Sequence, residues 1–224
     1  MSQLLLKLDE RRELAIIPPK AASKDKPLLI LAHGAGKGMD SPFLETIANH
    51  LEDKNVSTMR FNFPYMTAGR KSPNGARILM ESWRNVIEWA GENIECSEML
   101  IGGKRMGGRI ATMIASDVQD VKGLVFLGYP LHPPGKFDRV RDDYLYTVRQ
   151  QNQFVQGTRD AFARMDLLTQ TLTRLRDRHK LHWIEGGEHS FKVLVRQGVS
   201  YPEVLEGAAD VTAEWIHDLA GKNS

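Results

Sequence analysis

Apolar residues along this chain fall into short runs separated by stretches with helical spacing. Leu28-Leu29-Ile30-Leu31-Ala32 is unbroken, the pattern of a strand buried on both faces. Shorter runs at residues 56–61, 99–101, 124–127, 153–155 and 181–184 predict further strands. Between them, residues 77–93 carry Ile78, Leu79, Trp83, Ile87 and Trp89 at helical intervals. A helix is also predicted from Ser41 to about His50, with Glu45 completing its start signal and Pro42 at the first helical position. Residues 109–115, 161–178 and 202–220 read as helical too. Two apolar runs, residues 4–8 and 14–17, flank Asp9-Glu10-Arg11-Arg12 and predict an antiparallel hairpin that Pro18-Pro19 ends. Strands alternating with helices predict an α/β class: six parallel strands after the hairpin, with helices on both faces. No repeat, low-complexity tract or linker divides the chain, so residues 1–224 are expected to form one domain. The longest irregular stretch, residues 129–148, is either a small cap over a pocket or a long connection.

Composition narrows the function classes. Thirty basic residues against 28 acidic ones give a net charge of +2, which supplies no drive toward nucleic acid. With 42% apolar and 26% charged residues, the chain is neither a disordered nor a membrane class. The first apolar run is too short for a signal peptide or a spanning helix, so no membrane partner is expected. Cys96 is the single cysteine, which forbids an internal disulfide and fits a cytoplasmic setting. The partners left are a small-molecule ligand or substrate, or another protein.

The chemistry concentrates at Gly102-Gly103-Lys104-Arg105-Met106-Gly107-Gly108, between a predicted strand and a predicted helix. Strand, glycine turn, helix is the setting of a G-x-S-x-G nucleophile elbow. The residue at its centre is Arg105, which has no hydroxyl or thiol and keeps its proton. Loops after parallel strands gather at one edge of the sheet. His33-Gly34-Ala35-Gly36, Arg105, Asp160 and His189 all fall on such loops. The order elbow, acid, histidine matches an α/β-hydrolase triad, with Arg105 at the nucleophile position, Asp160 as the acid and His189 as the base. The amides of Ala35 and Met106 are the candidate oxyanion donors. His33, Ser41, Tyr65 and His132 are candidate pocket residues, with His33 more suited to holding its loop than to acting as a base. Arg109 reads as a salt-bridge anchor, and Cys96 should lie at the far end of its strand. Ser41 and Ser190 are the nearest hydroxyls by motif. No phosphate loop, full dinucleotide fingerprint, H-E-x-x-H or cysteine cluster occurs, so neither a cofactor nor a metal is expected.

Longer strings add a resemblance. They are His33-Gly34-Ala35-Gly36 with Met39-Asp40-Ser41-Pro42-Phe43, Arg60-Phe61-Asn62-Phe63-Pro64-Tyr65, and the elbow through Arg109. Others are Gly128-Tyr129-Pro130-Leu131-His132-Pro133-Pro134-Gly135-Lys136, Gln156-Gly157-Thr158-Arg159-Asp160 and Gly186-Gly187-Glu188-His189-Ser190-Phe191. On these strings the chain resembles the compact α/β-hydrolase group of dienelactone-hydrolase-like and testis-expressed protein 30 type proteins. That group includes the hydrolase-like subunit of an animal histone-acetyltransferase complex. The resemblance implies an α/β-hydrolase fold without a large lid. It also implies a serine between Lys104 and Met106, where this chain has Arg105. Two function classes follow. One is a binding or regulatory module without serine-hydrolase turnover. The other is an active hydrolase of small ester, lactone or acyl substrates, using a water activated by His189 or Ser41 brought close. In either case Arg105 is expected to meet Asp160, Glu188 or another carboxylate, or to point into solvent. Asp160 and His189 are expected about 2.6–3.2 Å apart.

Overall fold

A computed structural model describes residues 3–221. In chain order its elements are β1 (Leu4–Lys7), β2 (Glu13–Ile17), β3 (Leu28–Ala32), α1 (Pro42–Asp53), β4 (Ser57–Asn62) and α2 (Pro64–Thr67). There follow α3 (Ala76–Asn93), β5 (Met99–Lys104), α4 (Met106–Ile114), β6 (Val121–Leu127) and β7 (Gln151–Gly157). The chain closes with α5 (Met165–Thr173), β8 (His179–Ile184) and α6 (Tyr201–Gly221).

The strands make one eight-stranded sheet in the order β1-β2-β4-β3-β5-β6-β7-β8. The hairpin pairs antiparallel, Leu4 opposite Ile16, and β2 joins β4 antiparallel. Every pairing from β4 through β8 is parallel. This is the α/β-hydrolase fold, six parallel strands after the hairpin.

The unbroken apolar run of β3 is explained by two cores. Leu28, Ile30 and Ala32 face one layer with Trp83 and Val86 of α3 and Ile110 of α4. Leu29 and Leu31 face the other, with Phe43 and Ile47 of α1 and Ala209 and Ile216 of α6. Phe126 and Val125 on β6 divide in the same way. Side chains alternate while both faces are dry, so no polar alternation survives in the sequence.

The chain leaves β3 toward β4 and returns to β5 on the other side, so the strand order reverses between β3 and β5. A crevice opens at the carboxyl ends of strands at such a switch point. Close approach there needs glycine: a Cβ on Gly103, whose φ is +148, would lie 2.1 Å from the Ala32 carbonyl oxygen. Likewise a Cβ on Gly107 would lie 2.5 Å from that oxygen.

Several local expectations change. The strand expected over residues 99–101 continues to Lys104, so Gly102 and Gly103 belong to β5 and the turn shrinks to Arg105. The helix expected over residues 161–178 shortens to α5. Its start is blocked because His132 Nε2 accepts the Arg164 amide, which a helix from residue 161 would have bonded to the Asp160 carbonyl. Its end unwinds through amides bonded three residues back, reaching Arg176 at φ 53. Ser41 precedes α1, but its hydroxyl caps nothing; Glu45 bonds the Ser41 carbonyl through its amide alone. The short α2 has no sequence forecast. Residues 129–148 are a connection and not a cap. They hold one short helical turn (Asp143–Thr147), and Tyr129 Oη and the Arg141 amide tie them down.

Candidate active site

Arg105 alone makes the turn from β5 into α4, at φ 53 and ψ −113. A side-chain-bearing residue there stores on the order of 1–3 kcal/mol of strain. The neighbouring glycines fix it: Gly103 and Gly107 hold strand and helix against β3. The Arg105 amide donates to the Leu127 carbonyl at 3.3 Å, and its carbonyl accepts from the Arg109 amide at 3.0 Å. Its side-chain stem packs over Gly34, where an added Cβ would sit 3.3 Å from Arg105 Cβ and Cδ.

The guanidinium follows neither expected course. Nη2 donates to Ser190 Oγ at 2.8 Å, while Nε is buried with no hydrogen-bond partner. Among the described residues no carboxylate forms an ion pair with it. Burial pushes the Arg105 pKa below its ordinary value, and the charges of Asp160 and Glu188 push back.

Asp160 follows β7 and His189 follows β8, and the two meet. His189 Nδ1 lies 2.6 Å from Asp160 Oδ2, both residues being 5% exposed. Gln156 Nε2 donates to the same oxygen at 2.5 Å, and Asp160 Oδ1 accepts the Phe162 amide at 2.8 Å. Gln156 is itself held by the Tyr129 amide, which donates to its Oε1 at 2.8 Å. Phe162 stacks on the imidazole, with centroids 4.1 Å apart and planes inclined by 23°. Burial lowers the His189 pKa, the Asp160 hydrogen bond opposes this, and the cations of Arg105 and Lys104 add to the lowering. Asp160 therefore holds a neutral imidazole with its proton on Nδ1. Nε2 makes no hydrogen bond among the described residues and keeps its lone pair. Sequence reasoning missed Gln156 and Phe162. The only signal was position, a polar residue ending an apolar strand and an aromatic two residues past the acid.

In front lies a cleft of about 610 Å³ between the loop after β3, the elbow, the loop after β8 and the starts of α1 and α6. Arg105, Ser41 and Ala35 line it, together with Lys37, Lys104, Glu188, Lys192 and Tyr201, while Asp160 and His189 do not. Lys104 Nζ sits 3.4 Å over the Phe43 ring. Burial pulls its pKa down to about 7, with Arg105, Lys37 and Lys192 adding to the fall and Glu188 opposing it. This cationic rim was also missed. Its sequence signal was the Lys104-Arg105 pair at the elbow.

The remaining expected residues divide. Ala35 is exposed at the cleft, whereas Met106 opens α4 outside the lining. The N–H of Met106 has no intrahelical acceptor. His33, Tyr65 and His132 do not line the cleft, contrary to expectation; each is buried. His33 Nδ1 donates to the Gly34 carbonyl at 2.7 Å and Nε2 accepts the Phe63 amide at 3.1 Å. Burial drops its pKa to about 4, so it is a neutral brace. His132 braces its loop in the same way, between the Pro133 carbonyl and the Arg164 amide. Burial pushes the Tyr65 pKa up to about 12. Arg109 forms no salt bridge among the described residues, so it anchors nothing by charge. Cys96 precedes β5, at the opposite end of the sheet from the cleft. A separate groove of about 280 Å³ beside the hairpin holds Arg12 and Asp9, already paired to each other. Among the described residues no group of His, Cys, Asp and Glu is arranged to hold a metal ion, and no helix is long and apolar enough to cross a membrane.

Comparison with known proteins agrees with the fold. An alpha/beta hydrolase domain family matches residues 25–217. Among solved structures, an alpha-beta serine hydrolase homologue from Coxiella burnetii superposes with a TM-score of 0.73 at 18% identity, over 95% of this chain and 96% of that one. A dienelactone hydrolase from Anabaena variabilis gives 0.72 at 18% identity, over 97% and 96%. Est1E from Butyrivibrio proteoclasticus with ferulic acid bound gives 0.74 at 15%, over 97% and 99%.

Proposed function

This chain belongs to the alpha/beta hydrolase domain family, and from that premise we propose that it works as a binding or regulatory module without ordinary serine-hydrolase turnover. One observation carries the reading: Arg105, which has no hydroxyl, occupies the strained turn between β5 and α4 and lines the cleft. A guanidinium stays protonated and has no nucleophilic lone pair to offer an acyl carbon. Loss of a triad nucleophile removes several orders of magnitude of rate. Arg105 also lines the cleft where His189 does not, so a ligand meets the cation first. The bound partner is a small molecule or a segment of another protein, and a cytoplasmic setting accords with the lone Cys96.

A second reading draws on the intact pair of Asp160 and His189. In it, the free Nε2 takes a proton from water, and that water attacks a small ester, lactone or acyl substrate. Fluorophosphonate labelling and p-nitrophenyl acetate turnover, each compared with His189→Ala, separate the two. The binding reading expects no labelling and only background turnover in both proteins. Turnover that falls on His189→Ala supports the second reading, and labelling that falls with it overturns the first.

A further inference from the structure

Four cations line the cleft, Lys37, Lys104, Arg105 and Lys192, against one carboxylate, Glu188. With Lys104 protonated, four less one is a formal excess of +3 at a single opening, in a chain whose formal net charge is only +2. The remaining residues therefore sum to −1, and the positive charge of the molecule is gathered here. None of the four forms an ion pair with a carboxylate among the described residues. Lys37 and Lys192 are exposed, but Lys104 and Arg105 are half-buried neighbours on the chain. Crowding like charges while removing them from water disfavours the charged forms. A fold keeps such a pair at a cost in stability, and an anion relieves it.

The donors left unused are those an anion needs. Arg105 Nε is buried and unpartnered, while Nη2 rests on a neutral hydroxyl. Lys104 has only the Phe43 ring. The Ser41 hydroxyl at the cleft caps no helix. Backbone N–H groups at the start of a helix add positive potential, and α4 begins one residue after Arg105. An excess of +3 suits a dianion better than a monoanion, and several separate donors suit a group with several terminal oxygens. Phe43 and Pro42 give the cleft an apolar wall for the rest of a ligand.

The geometry points to the cleft as a site for a small molecule carrying a phosphate group, held by Lys104, Arg105 and Lys192. This deepens the binding-module reading and rests on it. No bond is made or broken: the group displaces water from the cations, and Arg105 turns its unused nitrogen to it.

Isothermal titration calorimetry on the full chain, at matched ionic strength, tests this with inorganic phosphate, phenyl phosphate and benzoate. Saturable binding of both phosphates is expected, with benzoate weaker by about ten-fold or more, the scale of one charge-assisted hydrogen bond. Lys104→Met and Lys192→Met should each weaken phosphate by roughly ten-fold, while Lys180→Met on the exposed surface should leave it unchanged. Circular dichroism checks that the variants fold, and either cleft variant suffices. Phenyl phosphate binding tighter than phosphate assigns the site to an organic phosphate ester; equal binding assigns it to free phosphate. No saturable phosphate binding, benzoate binding as tight as phenyl phosphate, or folded cleft variants that bind like the parent would each overturn the proposal. Those results leave the question of turnover untouched, since it is read by fluorophosphonate labelling and p-nitrophenyl acetate hydrolysis with no phosphate present.

Discussion

Two corners of one sheet edge are built on opposite terms. Around Asp160, His189 and Gln156, buried polar groups are matched: both Asp160 oxygens accept hydrogen bonds, and Gln156 is held in turn by the Tyr129 amide. Around Lys104 and Arg105, charges are half-buried and unmatched, with a ring beneath one and a hydroxyl against the other. A satisfied network is held by its own bonds, so each member depends on the rest. A set of repelling cations contributes nothing comparable to folding. The first corner is a matched hydrogen-bond network, with Arg105 on the elbow beside it. The second is a surface that waits for something from outside.

The largest expected effect breaks the first corner. Asp160→Ala leaves His189 Nδ1, Gln156 Nε2 and the Phe162 amide without their acceptor. A loss of about 1–3 kcal/mol is expected in urea unfolding, the scale of leaving a buried donor without its acceptor. An unchanged midpoint would show that the network does not support the fold. Phe162→Leu removes the ring stacked on His189, and about 0.5–1.5 kcal/mol should be lost on the same measurement.

The second corner should respond with the opposite sign. Lys104→Met removes a half-buried cation that forms no ion pair among the described residues and whose attraction to Glu188 is outweighed by burial and neighbouring cations, so its unfolding midpoint should equal or exceed that of the parent. A clear drop would mean that Lys104 is paired in a way its surroundings do not show.

The smallest effect is the pH dependence of that difference. Arg105, Lys37, Lys192 and Glu188 are the charged groups facing Lys104, and burial leads them in setting its pKa at about 7 against an ordinary 10.5. Between these values the unfolded chain binds the proton that the folded chain has released, so stability rises with pH. The penalty from Lys104 is thus full below about pH 7 and fades as pH climbs toward the ordinary lysine range. Parallel melts at about pH 6 and about pH 9 should show the gap between Lys104→Met and the parent narrowing at the higher pH. A constant gap would remove Lys104 titration from the account.

The same contrast governs what the sequence reveals. The hairpin, β3 and α3 were legible because period and burial coincide: Leu28 through Ala32 is apolar on both faces, and Leu79, Trp83 and Ile87 recur at helical spacing. The loop positions of Arg105, Asp160 and His189 were legible because parallel strands send their carboxyl ends to one edge. Residues 161–164 misled because their helical spacing is overruled by a side chain distant in the chain. His132 accepts the Arg164 amide that a helix would have used. His33 and His132 misled for a related reason: histidine type announces reactivity, but both ring nitrogens of each are spent on backbone groups. The cationic rim was hidden because Lys37 and Lys192 come from two loops and Lys104 from the end of β5, and a net charge of +2 averages them away.

The comparison rests on one claim, that the relay is intact and only the group it would activate is absent. Fluorophosphonate labelling of the parent, Arg105→Ser, and Arg105→Ser with His189→Ala tests it most directly. The account predicts no labelling of the parent, labelling of Arg105→Ser, and loss of that labelling when His189 is also removed. Labelling of the parent equal to that of Arg105→Ser, or a folded Arg105→Ser protein with no labelling at all, would contradict it.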